Sequence, residues 1–235
     1  MSVAENVAGN VERVRERVAA ACQRAGRDSA GVTLVGVTKT FGPEMVDEVV
    51  AAGVEDVGEN RIQEFLAKSP EVERPCRWHL VGPLQRNKAT KAIGRFHLVQ
   101  SIDRVAIAQT LDRLGEERGL VTRALLQVNT SGEPSKHGVG PNEAAAALDE
   151  IAVLAHIEIA GLMTIGPLSS DPEDTRRSFR LLFELRERLR GTSGLDLTEL
   201  SMGMSGDFEM AIEEGATIIR LGTVITGPRA PRPPE

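Results

Sequence analysis

The stretch VTLVGVTKTFGPEMVDEVVAAGVEDVG, residues 32–58, decides the fold. It begins with a β-rich run, 32–37. A helical stretch, 43–52, follows, with Pro43 in the first turn, where a missing N–H leaves no hydrogen bond unmade. A second short β-rich run, 56–58, closes the stretch. Strand, helix and strand in immediate succession make the unit from which parallel sheets are built.

The alternation continues outward. Further β-rich runs fall at 77–80, 97–99, 123–128, 157–161, 198–200 and 216–220. Helical stretches lie between them at 62–68, 87–93, 105–118, 141–154, 172–189 and 207–214, several opening on a proline or aspartate. Eight such units in about 210 residues fit the α/β class as a single (β/α)8 TIM barrel. An open doubly wound sheet is the alternative, because the second, fourth and seventh runs are short. Upstream, Val3, Val7, Val11, Val14, Val18 and Ala21 recur at spacings of three and four until Gly26. This predicts an extra N-terminal helix, within 1–30, packed on the bottom or side of the barrel. The barrel then occupies 31–229, and the proline-rich tail 230–235 frays. The whole reads as one domain.

Composition narrows the function. The chain has 235 residues, and 28 Lys and Arg against 34 Asp and Glu give a net charge of −6. That balance gives no global reason to bind nucleic acid or an anionic membrane. No apolar run approaches the roughly 18 residues of a membrane span. The first residues lack an apolar signal core. Cys22 and Cys76 make neither a disulfide framework nor a metal knuckle, so a cytoplasmic setting is expected. His79, His97, His137 and His156 lack zinc-type spacing. Tyrosine is absent from the sequence, which removes any phenolic acid or base.

Parallel barrels place their chemistry at the C-terminal ends of the strands. Small or polar residues follow all eight runs, which points to a single ligand-binding mouth. In run one, period-two alternation puts Val35, Val37 and Lys39 on one face. If the valines point into the barrel, Lys39 points into its mouth; the plain alternative is a snorkelling surface lysine. Desolvation there favours the neutral amine, the form that attacks a carbonyl to make a Schiff base. Run seven opens into Ser201-Met202-Gly203-Met204-Ser205-Gly206-Asp207, and Leu221-Gly222-Thr223 lies beside it after run eight. Backbone N–H groups and hydroxyls there make a phosphate cradle, or else a plain capped helix start. Asp207 and Glu209 oppose a phosphate unless they turn outward. Arg220, at the end of an apolar run, needs an acceptor. Glu199 or Glu59 would serve as a structural partner, and a ring nitrogen or anion as a functional one.

Several pieces in order carry a more specific signal. They are Val37-Thr38-Lys39-Thr40, Gly58-Glu59-Asn60-Arg61-Ile62-Gln63-Glu64, Trp78-His79-Leu80-Val81-Gly82-Pro83-Leu84-Gln85-Arg86-Asn87-Lys88, Gly161-Leu162-Met163, Ser201-Met202-Gly203-Met204-Ser205 and Arg220-Leu221-Gly222-Thr223. Together they resemble the pyridoxal 5′-phosphate homeostasis protein family, whose members look like the alanine racemase barrel domain standing alone. The resemblance implies pyridoxal 5′-phosphate as cofactor, held as a covalent aldimine on Lys39. It implies Ser201, Gly222 and Thr223 at the phosphate, with Met202 and Ser205 shaping that loop. Arg220 would face the pyridine nitrogen, Asn60 would line the ring and His79 the pocket wall. Thr38 departs from the serine of many relatives, and Ile225-Thr226-Gly227 stands where an aromatic is frequent; neither touches the proposed linkage.

The chemistry then limits turnover. Arginine only donates, so the ring nitrogen must accept and stay unprotonated, which makes a poorer electron sink. The resembled racemases use a tyrosine on the second face of the substrate, and this sequence has none. The expectation is a carrier and buffer in vitamin B6 and amino-acid homeostasis, with apoenzymes as possible recipients and the chain a monomer or weak homodimer. The alternatives are a narrow-scope amino-acid racemase and a sugar-phosphate barrel enzyme using Lys39 without a cofactor. Lys136, in the loop after run five, is either a second amine near the mouth or a surface lysine.

Overall fold

A computed structural model describes residues 7–228. Among these, eight parallel strands close into a barrel in sequence order. They are β1 (Thr33–Val37), β2 (Asp56–Glu59), β3 (Arg77–Leu80), β4 (Leu98–Ile102), β5 (Thr122–Gln127), β6 (Ile157–Met163), β7 (Glu199–Ser201) and β8 (Ile218–Leu221). The helices are α1 (Val7–Arg24), α2 (Pro43–Ala51), α3 (Ile62–Lys68), α4 (Ala89–Ala92), α5 (Val105–Arg118), α6 (Ala144–Ala152), α7 (Pro172–Ser193), α8 (Phe208–Glu213) and α9 (Thr223–Thr226). The open sheet is eliminated by the last ladder. β1 pairs with β2, and also with β8 in the register Thr33↔Ile218 to Gly36↔Leu221.

Closure divides the apolar core in two. Val35, Leu98, Leu125, Ala160, Met163 and Ile218 form a cluster of their own inside the barrel. A larger cluster, including Leu111, Leu148, Phe179 and Phe208, fills the layer between strands and helices. Where β6 meets β7 the backbones approach so closely that a Cβ on Gly161 would lie 1.9 Å from the Glu199 carbonyl oxygen. That strand position therefore takes only glycine.

The fourth strand is longer than the run 97–99, because two of its residues, Gln100 and Ser101, are polar yet fully buried. Ser101 Oγ donates to the Gly82 carbonyl at 2.6 Å, so its burial leaves nothing unsatisfied. The stretch 87–93 is a 3₁₀ turn (Arg86–Lys88) followed by the single α-turn of α4. α1 lies on the side of the barrel, against α8, α9 and α2. Its stripe of Val7, Val11, Val14, Val18 and Ala21 is buried. Asn10 Nδ2 donates to the Ile225 carbonyl at 2.8 Å, and Arg17 pairs with Glu209 at 2.8 Å. Val3 and the tail 230–235 lie outside the described residues. No helix among the described residues is long and apolar enough to cross a membrane.

Candidate functional site

Lys39 follows β1 at the barrel mouth. The alternation read from the sequence places Val35 in the interior cluster and Val37 and Lys39 on a common cavity. The backbone on either side of Lys39 is fixed from outside the barrel. Thr38, fully buried, donates its hydroxyl to Glu59 Oε1 at 2.7 Å. Lys68 Nζ, at the end of α3, donates to the Thr38 carbonyl at 2.8 Å and to Glu59 Oε1 at 2.5 Å. Thr40 stands in the left-handed region at φ 71°, a conformation costly for a β-branched residue. Its N–H donates to Glu64 Oε2 at 3.0 Å, which holds it there. Burial pushes the Glu59 carboxyl up from the ordinary value, against the opposing pull of Lys68 and Thr38.

The cavity has a volume of about 340 Å³, within the usual range for small-molecule sites. Lys39, Asn60, Ser205, Arg220, Gly222 and Thr223 all line it, so six of the expected residues share one space. The loops after β7 and β8 are tied to each other. Arg220 N–H donates to the Gly203 carbonyl at 3.0 Å, and Gly222 N–H to Ser205 Oγ at 3.2 Å. Asp207 Oδ1 accepts from Met204 N–H at 2.6 Å, which closes the loop upon itself. Glu209 turns outward to Arg17. Neither acid is among the residues that line the cavity.

Arg220 is buried and its partners are not the carboxylates Glu199 or Glu59. One terminal nitrogen donates to Ser201 Oγ at 2.5 Å and the other to the Thr164 carbonyl at 2.8 Å. Burial lowers its pKa to about 10, with Asp207 opposing, so the guanidinium stays charged at neutral pH.

Three expected residues do not line the cavity. Ser201 is fully buried below Arg220, because the last residue of β7 points into the barrel; its hydroxyl donates to Gln100 Oε1 at 2.6 Å. Met202 points the other way, into the layer beneath the helices. His79 lies deeper in the interior, with Nε2 2.8 Å from Asp56 Oδ1 and Nδ1 2.9 Å from Gln100 Nε2. Lys136 is also off the cavity wall, donating to the Gly166 carbonyl at 2.5 Å and paired with Glu133 at 2.9 Å.

The cavity also holds a residue that sequence reasoning left aside. His137 lines it, and its Nδ1 lies 3.1 Å from Asp103 Oδ2. Both residues follow strands, β5 and β4, and that shared placement was the available signal. Gly82 shapes the opposite wall: a Cβ there would lie 2.2 Å from the Asn60 carbonyl oxygen, so only glycine lets the two loops meet.

Comparison with known proteins identifies the family. Residues 9–230 match the family model described as alanine racemase, N-terminal domain. The chain is 41% identical over 225 residues to the pyridoxal phosphate homeostasis protein of Aquifex aeolicus, covering 95% of this chain and 99% of that one. A solved structure of an unknown protein from Bifidobacterium adolescentis superposes with a TM-score of 0.89 at 37% identity, covering 96% and 97% of the two chains. PipY of Synechococcus elongatus, solved with pyridoxal phosphate bound, gives a TM-score of 0.79 at 37% identity over 91% of this chain and 100% of that one. With fold and sequence in agreement over nearly its whole length, the chain belongs to the pyridoxal phosphate homeostasis proteins, a family built on the alanine racemase N-terminal domain.

Proposed function

We propose that this chain binds pyridoxal 5′-phosphate at the barrel mouth and holds it as a Schiff base on Lys39, without efficient turnover. It thereby serves vitamin B6 and amino-acid homeostasis in the cytoplasm. The observation that carries the reading is that Lys39, Arg220, Ser205, Gly222 and Thr223 line one cavity. An amine, an anion cradle and a fixed cation are the three groups this ligand requires. When bound, the cofactor supplies an aldehyde that condenses with amines and a ring that withdraws electrons from the carbon so attached.

The chain's own residues divide the work. Lys39 would supply the amine that condenses with the aldehyde, whose oxygen would leave as water. Ser205 Oγ accepts from the N–H groups of Gly222 and Val224 at 3.2 and 3.4 Å, which leaves its own proton to donate to a phosphate oxygen. Thr223 adds a hydroxyl on the same wall. Arg220, able only to donate, holds a ring nitrogen in its accepting, unprotonated form, and that keeps carbanion chemistry slow. Asn60 walls the ring. The net charge of −6 supports a partner set without nucleic acid or membrane. Apoenzymes are the proposed recipients, and the chain is proposed to act as a monomer or weak dimer.

Incubation with pyridoxal phosphate is expected to give an absorbance band that borohydride fixes onto residue 39. No reducible adduct in the wild type, or one undiminished in Lys39→Ala, overturns the proposal. One observation favours the second reading, a racemase of narrow scope: His137, braced by Asp103, lines the cavity with Lys39 and supplies an imidazole where tyrosine is missing. Chiral assays across amino acids decide between them, since turnover abolished by both Lys39→Ala and His137→Phe belongs to the racemase alone.

A further inference from the structure

Beside its apolar cluster the barrel interior holds a continuous hydrogen-bonded line of polar side chains. Arg220 donates to Ser201 Oγ at 2.5 Å, and Ser201 Oγ donates to Gln100 Oε1 at 2.6 Å. Gln100 Nε2 lies 2.9 Å from His79 Nδ1, and His79 Nε2 lies 2.8 Å from Asp56 Oδ1. Asp56 in turn accepts a two-pronged contact from Arg77 at 2.7 and 2.9 Å. Asp56 and Arg77 are the first residues of β2 and β3, and Ser201 is the last of β7. The line therefore runs from the N-terminal end of the barrel to the cavity floor.

Its direction is forced from both ends. A guanidinium only donates, so the Ser201 hydroxyl must accept from Arg220 and send its proton to Gln100. The amide oxygen of Gln100 then faces Ser201 and its NH₂ faces His79. Nδ1 of His79 must accept, so the neutral ring carries its proton on Nε2 and donates it to Asp56, which as a carboxylate only accepts. Turning Gln100 over would set its amide oxygen against the lone pair of His79 Nδ1 unless the ring took a second proton. His79, Gln100, Ser201 and Asp56 are all buried, where such a mismatch is expensive.

We propose that Asp56, His79, Gln100 and Ser201 are positioning residues for Arg220, fixing the orientation of its guanidinium at the cavity floor. The inference rests on the reading of Arg220 as the partner of a ligand ring nitrogen. It adds that the quality of this contact is set by side chains that never touch the ligand. A hydrophobic filler of the same shape at position 100 would keep the barrel packed but free the Ser201 hydroxyl to rotate, leaving the guanidinium firmly held on one side only, by the Thr164 carbonyl.

The test uses the full chain with and without pyridoxal phosphate. In Gln100→Met, the bound absorbance maximum is expected to move and the ligand to dissociate about fivefold faster, the equivalent of one buried hydrogen bond. In an Arg220→Gln background, Gln100→Met is expected to add nothing, since its effect passes through Arg220. A folded Gln100→Met protein with wild-type spectrum and dissociation rate, or equal effects in both backgrounds, overturns the inference. Two measurements need no ligand. Nitrogen-15 spectra of wild type are expected to show His79 protonated on Nε2, and the Arg220 side-chain N–H signals to exchange slowly in wild type but rapidly in Gln100→Met. A His79 ring protonated on Nδ1 at neutral pH, or unchanged Arg220 exchange, overturns the line even if the variant is too unstable to load. Failure of wild type to take up the ligand, with these signals as expected, counts against the carrier reading and leaves the line in place.

Discussion

Two lysines flank the same turn and have opposite fates. Lys39 extends the inward row of β1 and lines the cavity, half-buried. Lys68 reaches the same turn from α3, on the outward side of the strand. There it is buried, and its ammonium is satisfied by the Thr38 carbonyl and by Glu59. The lesson is that chemistry follows the face of the strand rather than residue type. A lysine sealed between sheet and helix against a carboxylate is a structural cation. Lys39, just past the end of β1 and on its inward side, opens on a space large enough for a ligand. The outer pair also serves the inner lysine, because Lys68 and Glu59 both grip Thr38, the residue before Lys39.

The largest effect that breaks this comparison comes from exchanging roles. Lys39→Ala is expected to abolish the borohydride-fixed adduct in a protein that still folds. Lys68→Met is expected to do the reverse. It leaves Glu59 buried without its counter-ion and costs about 3–5 kcal/mol in urea denaturation, yet any folded protein still forms the adduct. An adduct lost in both variants at full folding would mean that the two amines are one functional unit. The double variant Glu59→Leu with Lys68→Met sharpens the point. It is expected to be more stable than Lys68→Met alone, because an apolar pair replaces an orphaned charge.

A smaller effect tests the wall opposite Lys39. Gly82→Ala forces a Cβ against the Asn60 backbone, which has no soft side chain to yield. A loss of about 1–3 kcal/mol is expected in denaturant unfolding, with weaker ligand uptake in titration. Uptake unchanged beside a full stability loss would remove Asn60 from the site.

The barrel and most of its mouth were legible from the sequence for one reason. Parallel strands with helices between them leave a period-two row that continues past Val37 to Lys39, and glycine-rich turns mark the loops at 82, 203 and 222. Ser201 and His79, which the resemblance implies at the ligand, lie off the cavity wall for the same reason in reverse. Both sit near a strand's C-terminal end, and sequence cannot tell a side chain at the cavity surface from one a layer below it. That depth depends on strand tilt and stagger around the closed barrel, which only the ladders reveal. Gln100 was invisible because a polar residue in mid-strand reads as a strand end. The pairing of His137 with Asp103 was hidden because nothing in local pattern joins residues 34 apart.

The smallest effect compares the two acids of β2, which repeat the lysines' contrast. Asp56 faces the interior and Glu59 the helices. Burial acts to raise both carboxyls. At Asp56, hydrogen bonds from Arg77 and His79 and the charge of Arg77 overcome it and hold the group far below the ordinary 3.8. At Glu59, burial outweighs Lys68 and Thr38, and the group lies above the ordinary 4.5. The linkage signs are therefore opposite. Asp56, depressed on folding, contributes stability above its unfolded value, and that contribution is lost as pH falls below about 4 toward its folded value. Glu59, raised on folding, contributes stability that is present in acid and lost as pH rises through its folded value. Urea midpoints measured from pH 3 to 7 are expected to show a shallower acid decline in Asp56→Asn than in wild type, and a steeper one in Glu59→Gln. If both variants followed the wild-type slope, the two faces of β2 would be electrostatically alike, and the contrast between the lysines would come from packing alone.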